Sequence, residues 1–284
     1  MDSKMTEAAN RKVAVVTGAG GTLCSEMARN LAAQGYRVAL LGRTLDKLKV
    51  VEEDIRATGG TAISVSVDVS DEASVIKANE TIEKELGVCS VLINGAGGNQ
   101  NEALTNITEY DERELLNDGS VKGFFNLDMQ VFQSVIDINT MGTVIPCTVF
   151  GRSMAGEKRG VIINVASMNS YRPLSKVGAY GMAKAGIANF TQWLAAYLAP
   201  AGIRVNAIAP GFFLNDRSRK IMFNEDGSHT ARAKSVLSHT PMKKFGEAPE
   251  LIGCMNWLIN DEAAGFVTGI VVPVDGGFLA TAGI

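Results

Sequence analysis

The chain has 284 residues, 46% of them apolar and 20% charged, with a formal net charge of −3. That balance fits a folded globule with length enough for a sizeable core and excludes a disordered chain, while the slight negative charge gives no support to a nucleic-acid surface. No apolar run approaches the ~18 residues of a membrane span, and the polar opening lacks an apolar signal core, so cytoplasm is the expected location.

Residues 1–11 are polar and read as a frayed arm. Val13-Ala14-Val15-Val16 is a continuous apolar run, as expected of a strand buried on both faces. Thr17 to Gly21 form a turn, and Leu23, Met27 and Leu31 then repeat at four, one stripe of a helix ending near Gly35. Strand two spans Arg37 to Leu41. A second helix carries Leu48, Val51 and Ile55 and closes at Gly59-Gly60. Strand three runs from Ala62 to Val67. Helix three carries Val75, Ala78, Ile82 and Leu86, and strand four follows from Val88 to Ile93. This alternation predicts a doubly wound parallel α/β sheet of about seven strands with helices on both faces.

Residues 98–128 interrupt the rhythm with a polar stretch, read as an inserted loop with one short helix over the C-terminal edge of the sheet. A helix is expected from Met129 to Met154, strand five from Val161, and another helix to about Leu198, stopped by Pro200 and Gly202. Ile203 to Ile208 is strand six. Pro210-Gly211 opens a segment to about Phe245, rich in Ser and Lys and expected to be mobile. A late helix from Ala248 to Ile259 and a last strand from Gly269 to Val274 complete the chain.

Cys24, Cys89, Cys147 and Cys254 are scattered without a C-x-x-C pair, which reads as free buried thiols. With His229 and His239 the only histidines, no metal site is expected, and His239 reads as structural.

Tyr180 and Lys184 stand four apart. On a helix they share one face, about 6 Å apart along the axis. A phenol is a poor acid or base near neutrality, its ordinary pKa being about 10. A fixed ammonium favours the phenolate, and a shift of roughly three units needs about 4 kcal/mol of differential interaction. Ser167 follows the apolar run Val161 to Val165, so a strand there would deliver its hydroxyl to the sheet edge past which the Tyr180 helix returns.

The Tyr-x-x-x-Lys pair, the serine after a buried strand, the glycine-rich turn after the first strand and Asn94-Gly95-Ala96-Gly97 together resemble the short-chain dehydrogenase/reductase family, over about Lys12 to Gly277. The resemblance implies a single NAD(P)-binding Rossmann domain over 1–284. It gives Tyr180 the proton exchange with the substrate oxygen, Lys184 the nicotinamide ribose and the lowering of the phenol pKa, and Ser167 the orientation of the carbonyl. Asn139 matches the family's relay residue. Gly18, Gly20, Gly21, Thr22 and Leu23 would cradle the pyrophosphate, although Thr22 and Cys24 stand where the family pattern has glycine. Gly42 stands where an acidic residue would bind the ribose hydroxyls, with Arg43 next, so NADP is favoured over NAD; Arg43 covering the adenine face is compatible with both. Asp68 and Val69 match the adenine contact, with capping of the next helix as the alternative for Asp68. Asn94, Ala96 and Gly97 would run behind the ribose, and Pro210 and Gly211 would flank the nicotinamide amide. The family's habit implies a homotetramer, with Phe190, Trp193 and Leu194 as either interface or internal core.

The insert, the segment Asn169, Tyr171, Arg172, the turn Gly21 to Cys24 and the ending Val271 to Phe278 are similar to the D-mannonate oxidoreductase (fructuronate reductase) branch. The implied reaction is reversible reduction of D-fructuronate to D-mannonate. Arg172 and Arg217 are candidates for the substrate carboxylate, and Asn99 and Asn169 for its hydroxyls; all four are equally compatible with solvated surface. The alternatives are another carbonyl reductase of the family (gluconate-type, 3-ketoacyl or polyol) and a catalytically silent dinucleotide-binding regulator.

Overall fold

Residues Val13 to Val16 alternate between two faces, and each face is sealed by its own helices in the computed structural model, which describes residues 12–116 and 118–281. The strands are β1 (Val13–Thr17), β2 (Arg37–Gly42), β3 (Thr61–Ser66), β4 (Cys89–Asn94), β5 (Gly160–Val165), β6 (Ile203–Pro210) and β7 (Val271–Val274). They form one parallel sheet in the order β3-β2-β1-β4-β5-β6-β7. The helices are α1 (Thr22–Ala33), α2 (Leu45–Ala57), α3 (Glu72–Glu85), α4 (Met129–Gly156), α5 (Gly178–Leu198), α6 (Asp216–Met222), α7 (Ala231–His239), α8 (Ile252–Ile259) and α9 (Asp261–Ala264). The arm 1–11 of the sequence reading lies outside the described residues.

On one face, Ala14 and Val16 of β1 meet Met27 and Leu31 of α1, Leu48 and Ile55 of α2, and Met255 and Leu258 of α8. On the other, Val13 and Val15 meet Ile82 of α3, Phe150 and Met154 of α4, and Leu194 of α5. Parallel strands covered on both sides have no wet face, which is why they read as unbroken apolar runs. Each fully buried Leu, Ile, Phe or Met contributes about 1.5–3 kcal/mol relative to exposure. α4 continues through Pro146. Proline removes one intrahelical hydrogen bond, and burial of Cys147, Phe150 and Met154 against the sheet holds the helix in one piece.

Two expectations change. The insert holds three 3-10 turns, Asn101–Ala103, Glu112–Leu116 and Phe124–Asn126, in place of one short helix. They are braced from within: the Glu114 carboxylate is buried and accepts the backbone N–H groups of Asp111 and Phe125. The segment 211–245, expected to be mobile, is folded into α6 and α7 around Leu214, Met222, Ala233, Val236 and Phe245. Asn215 caps α6 and Thr230 caps α7, so each short helix has a side chain accepting its first free N–H groups. The abundance of charge in the segment hid that sparse apolar spacing.

Candidate active site

The strand order reverses between β1 and β4, and the chain leaving their C-terminal ends diverges to opposite faces. Such a switch point leaves a crevice. Here it is a cleft of about 600 Å³, walled by Gly18 to Cys24 after β1, Gly42 to Thr44 after β2, Val67 to Val69 after β3 and Gly95 to Gly97 after β4. Ile138 of α4, Val165 of β5 and Asn215 to Arg217 close it.

The turn after β1 depends on Gly18, whose φ of 68° is left-handed. A Cβ there would fall 2.8 Å from the Gly95 carbonyl oxygen and 2.9 Å from Ala96, so only glycine fits. The Gly21 N–H donates to the Gly18 carbonyl at 2.9 Å and closes a tight turn just before α1. The Thr17 hydroxyl accepts the N–H groups of Gly95 and Ala96, at 3.0 and 3.1 Å, and sews this turn to the one after β4. Cys24 stands in a glycine position because Gly95 faces it: a Cβ on Gly95 would meet the Cys24 sulfur at 2.1 Å. Burial pushes the Cys24 thiol up to about 11, against the opposing pull of Lys184, so it is a neutral wall of the cleft. Gly21 caps α1 without a side chain, and Gly21 to Cys24 line the cleft, so the start of α1 is open to an anion.

At the far end Arg43 and Lys47 are exposed and line the cleft beside Gly42. Lys47 was missed in the sequence; its signal was its place four residues after Arg43, on the first turn of α2. Asp68 lies there too. Its carboxylate accepts the hydroxyl and the backbone N–H of Ser70, and these bonds, burial opposing them and Arg43 assisting, hold its pKa below the usual carboxylate range. Asp68 thus shapes the turn before α3 and still faces the cleft.

Asn94 is not in the cleft wall. It is buried, donating to the Asn164 side chain at 3.0 Å and to the Cys147 sulfur at 3.1 Å, because β4 and β5 bring the two asparagines side by side in the interior. Pro210 and Gly211 also lie outside the lining: Gly211 donates to the Val274 carbonyl, and a Cβ on it would strike Asp275. These strand ends are held by their neighbouring strands.

Tyr180 and Lys184 share one face of α5, with the Lys184 Nζ 5.6 Å from the centre of the phenol ring. Lys184 is buried and donates to the Val165 carbonyl at 2.7 Å. Desolvation pulls its pKa down to about 8. Ser167 follows β5, its oxygen accepting the Asn169 N–H at 3.1 Å. The phenol does not show the lowered pKa expected of it. Burial raises it, and the hydrogen bond with Ser167 only offsets part of that. Lys184 is held toward Val165, so desolvation is the larger effect on the ring. Asn139 of α4 is fully buried and grips Gly98 in both directions, accepting its N–H at 3.2 Å and donating to its carbonyl at 2.7 Å. A Cβ on Gly97 would stand 2.4 Å from the Asn139 oxygen and 3.7 Å from the Lys184 Nζ. Gly97 belongs to the cleft wall, so Asn139 and Lys184 lie directly behind it.

Of the residues considered for substrate, Asn169 is buried, accepts the Leu174 N–H, and leaves its Nδ2, beside Gly181, without a hydrogen-bond partner among the described residues. The Asn99 side chain accepts the Gln100 N–H, and its carbonyl accepts from Arg217. Arg172 lies outside the cleft lining and donates to the Thr281 carbonyl at 2.5 Å. Arg217 lines the cleft, but its guanidinium is spent on Asn99 and Asn101. Neither arginine therefore stands as a free fork for a carboxylate.

The family model for short chain dehydrogenases matches residues 12–226. An uncharacterized oxidoreductase of Bacillus subtilis (strain 168), UxuB, is 45% identical over 273 residues, 96% of this chain and 96% of that protein. A solved structure from Haemophilus influenzae, provisionally named a D-mannonate oxidoreductase and holding NAD, superposes with a TM-score of 0.91 at 40% identity, covering 98% of this chain and 100% of its own. A 2-dehydro-3-deoxy-D-gluconate 5-dehydrogenase of Formosa agariphila is 31% identical over 275 residues, 96% of this chain and 94% of that enzyme.

Proposed function

The chain belongs to the short-chain dehydrogenase family, and from that membership we propose that it reduces the keto group of a sugar acid, D-fructuronate to D-mannonate, reversibly and with NADP. It is a nicotinamide-dependent oxidoreductase working between alcohol and keto groups. The observation that carries the proposal is the convergence of the Ser167 hydroxyl and the Tyr180 phenol with the buried Lys184, whose Nζ lies behind Gly97 of the cleft wall.

The cleft suits a dinucleotide on its own features. Its volume of about 600 Å³ lies within the usual range for cofactor sites. Gly18 allows close approach of backbone, the start of α1 suits a pyrophosphate, and Arg43 and Lys47 suit a 2′-phosphate. When bound, the nicotinamide supplies or takes up the hydride. Tyr180 then gives its proton to the oxygen of the carbonyl being reduced. Burial raises the phenol pKa, so the proton stays on the ring oxygen until the forming alkoxide, a much stronger base, takes it. Ser167 donates a second hydrogen bond to the same oxygen and fixes the carbonyl's direction. Lys184 holds the ribose, and Asn139 holds the Gly98 backbone beside it.

A polyhydroxylated acid is supported by the two relatives whose names include a sugar acid. The exposed Met141 of α4, with Met182, Trp193 and Tyr197 of α5, offers an apolar face for pairing copies into a homotetramer. A one-subunit mass in light scattering would exclude that part.

The substrate is tested by assaying a panel of keto sugar acids and acyl thioesters with both reduced cofactors. Sugar acids are expected to lead thioesters in kcat/KM by roughly 10²-fold. NADPH is expected to lead NADH by about tenfold, the worth of one charge-assisted contact to the 2′-phosphate. Turnover of thioesters alone would overturn the sugar-acid assignment, and a preference for NADH would overturn the role of Arg43 and Lys47.

A further inference from the structure

We propose that Arg217 is a positioning residue that straps α6 to the 98–128 insert across the cofactor cleft, and that its hold sets the rate at which cofactor leaves. The inference rests on the cleft being the nicotinamide site. Two segments far apart in the chain meet at its edge, at Arg217. One follows β4 and the other follows β6, and a single guanidinium joins them. One Arg217 nitrogen donates to the Asn99 carbonyl at 3.0 Å, and the other terminal nitrogen donates to the Asn101 side-chain oxygen at 2.5 Å. Arg217 itself lines the cleft with Asn215 and Asp216.

Both ends of the strap are anchored. Asn215 and Ser218 exchange hydrogen bonds, at 2.7 and 2.9 Å, and fix the first turn of α6 on which Arg217 stands. Met222 then buries the helix in the small cluster with Ala233 and Phe245. At the other end, Ala103 is buried with Val135 of α4 and Ala179 of α5, one residue before Tyr180. Lys122 donates to the Asn101 carbonyl. The insert is therefore tied to the helices that carry the reacting groups, and α6 is tied to the insert by Arg217.

Both acceptors of the strap are neutral, a carbonyl and an amide oxygen. Hydrogen bonds from a charged donor to neutral acceptors at an exposed edge break and reform readily. A carboxylate in either place would lock the two segments more firmly. Neutral acceptors suit a bridge that opens once per catalytic cycle, and in this proposal cofactor exchange parts α6 from the insert. Release of product or cofactor commonly limits such enzymes.

The test is stopped-flow displacement of reduced cofactor from the full chain, with no carbonyl substrate present. R217A is expected to speed release about tenfold, the worth of one to two such bonds. N101A should speed it less, and the R217A/N101A pair should match R217A alone, because both break the same bridge. N101D places a carboxylate against the guanidinium and should slow release below the wild-type rate, which loss of folding cannot imitate. Unchanged release in R217A, additive effects in the pair, or faster release in N101D would overturn the strap. Should R217A instead raise the KM for the sugar acid with release unchanged, Arg217 is a substrate ligand. Cofactor binding and release can be normal in a protein that reduces no sugar acid, so the two proposals fail separately.

Discussion

Tyr180→Phe is expected to lower turnover by about 10² to 10⁴-fold, the usual contribution of a positioned general acid, with cofactor affinity kept. The ring packs against the buried cluster of Ala103, Val135 and Ala179, and phenylalanine preserves that contact. What is lost is one hydroxyl, the group that hands its proton to the forming alkoxide. Ser167 retains its bond from Asn169 and still orients the carbonyl, so substrate affinity changes little. Steady-state rates with a reduced cofactor, set beside a fluorescence titration of the same cofactor, separate the two effects. Turnover within a few-fold of wild type would remove Tyr180 from the chemistry.

Lys184→Met should also lower turnover by about 10²-fold or more, through loss of ribose positioning, yet leave the fold as stable or more so. The reason is electrostatic. Lys184 is buried, and desolvation brings its pKa to about 8 from 10.5, equivalent to about 3 kcal/mol against the charged form. The folded pKa lies below the unfolded one, so the unfolded chain binds the proton more tightly. Below pH 8 the native state bears the whole penalty. Between about 8 and 10.5 stability contributed by this group rises with pH, and above that the penalty is gone. Methionine removes the charge at similar volume, at the cost of leaving the Val165 carbonyl without its donor, about 1–3 kcal/mol. The variant's thermal midpoint at pH 7 should equal or exceed wild type, and its response to pH from 8 to 10 should be flatter. A midpoint several degrees lower would show that the ammonium stabilises the fold, contrary to the sign argued.

The parts of the fold that were legible in the sequence are those written locally. Val13 to Val16 announces a doubly covered strand because every residue of it is buried, and Gly18 announces a turn because no other residue fits there. Tyr180 and Lys184 are a helical turn apart in any helix. What escaped was written across distance. Arg217 read as a candidate for the substrate carboxylate or a solvated charge because its acceptor, Asn101, is 116 residues away. Arg172 misled in the same way, its partner Thr281 lying at the end of the described chain. The meeting of the Asn94 and Asn164 side chains was likewise hidden, because only the register of β4 and β5 brings them together. α6 and α7 were obscured because their apolar residues are few and their charges many, while the caps Asn215 and Thr230 were the readable sign. The expected lowering of the phenol pKa failed because sequence spacing gives the nearness of an ammonium and says nothing of desolvation.

The most direct measurement is a structure of the ternary complex with reduced cofactor and D-fructuronate, caught in the slow Tyr180→Phe variant. The keto oxygen should lie within about 3 Å of the Ser167 hydroxyl and at hydrogen-bonding reach of the place the tyrosine oxygen occupies in wild type. A sugar acid seated with that oxygen turned away from Ser167 and position 180 would contradict the account at its root.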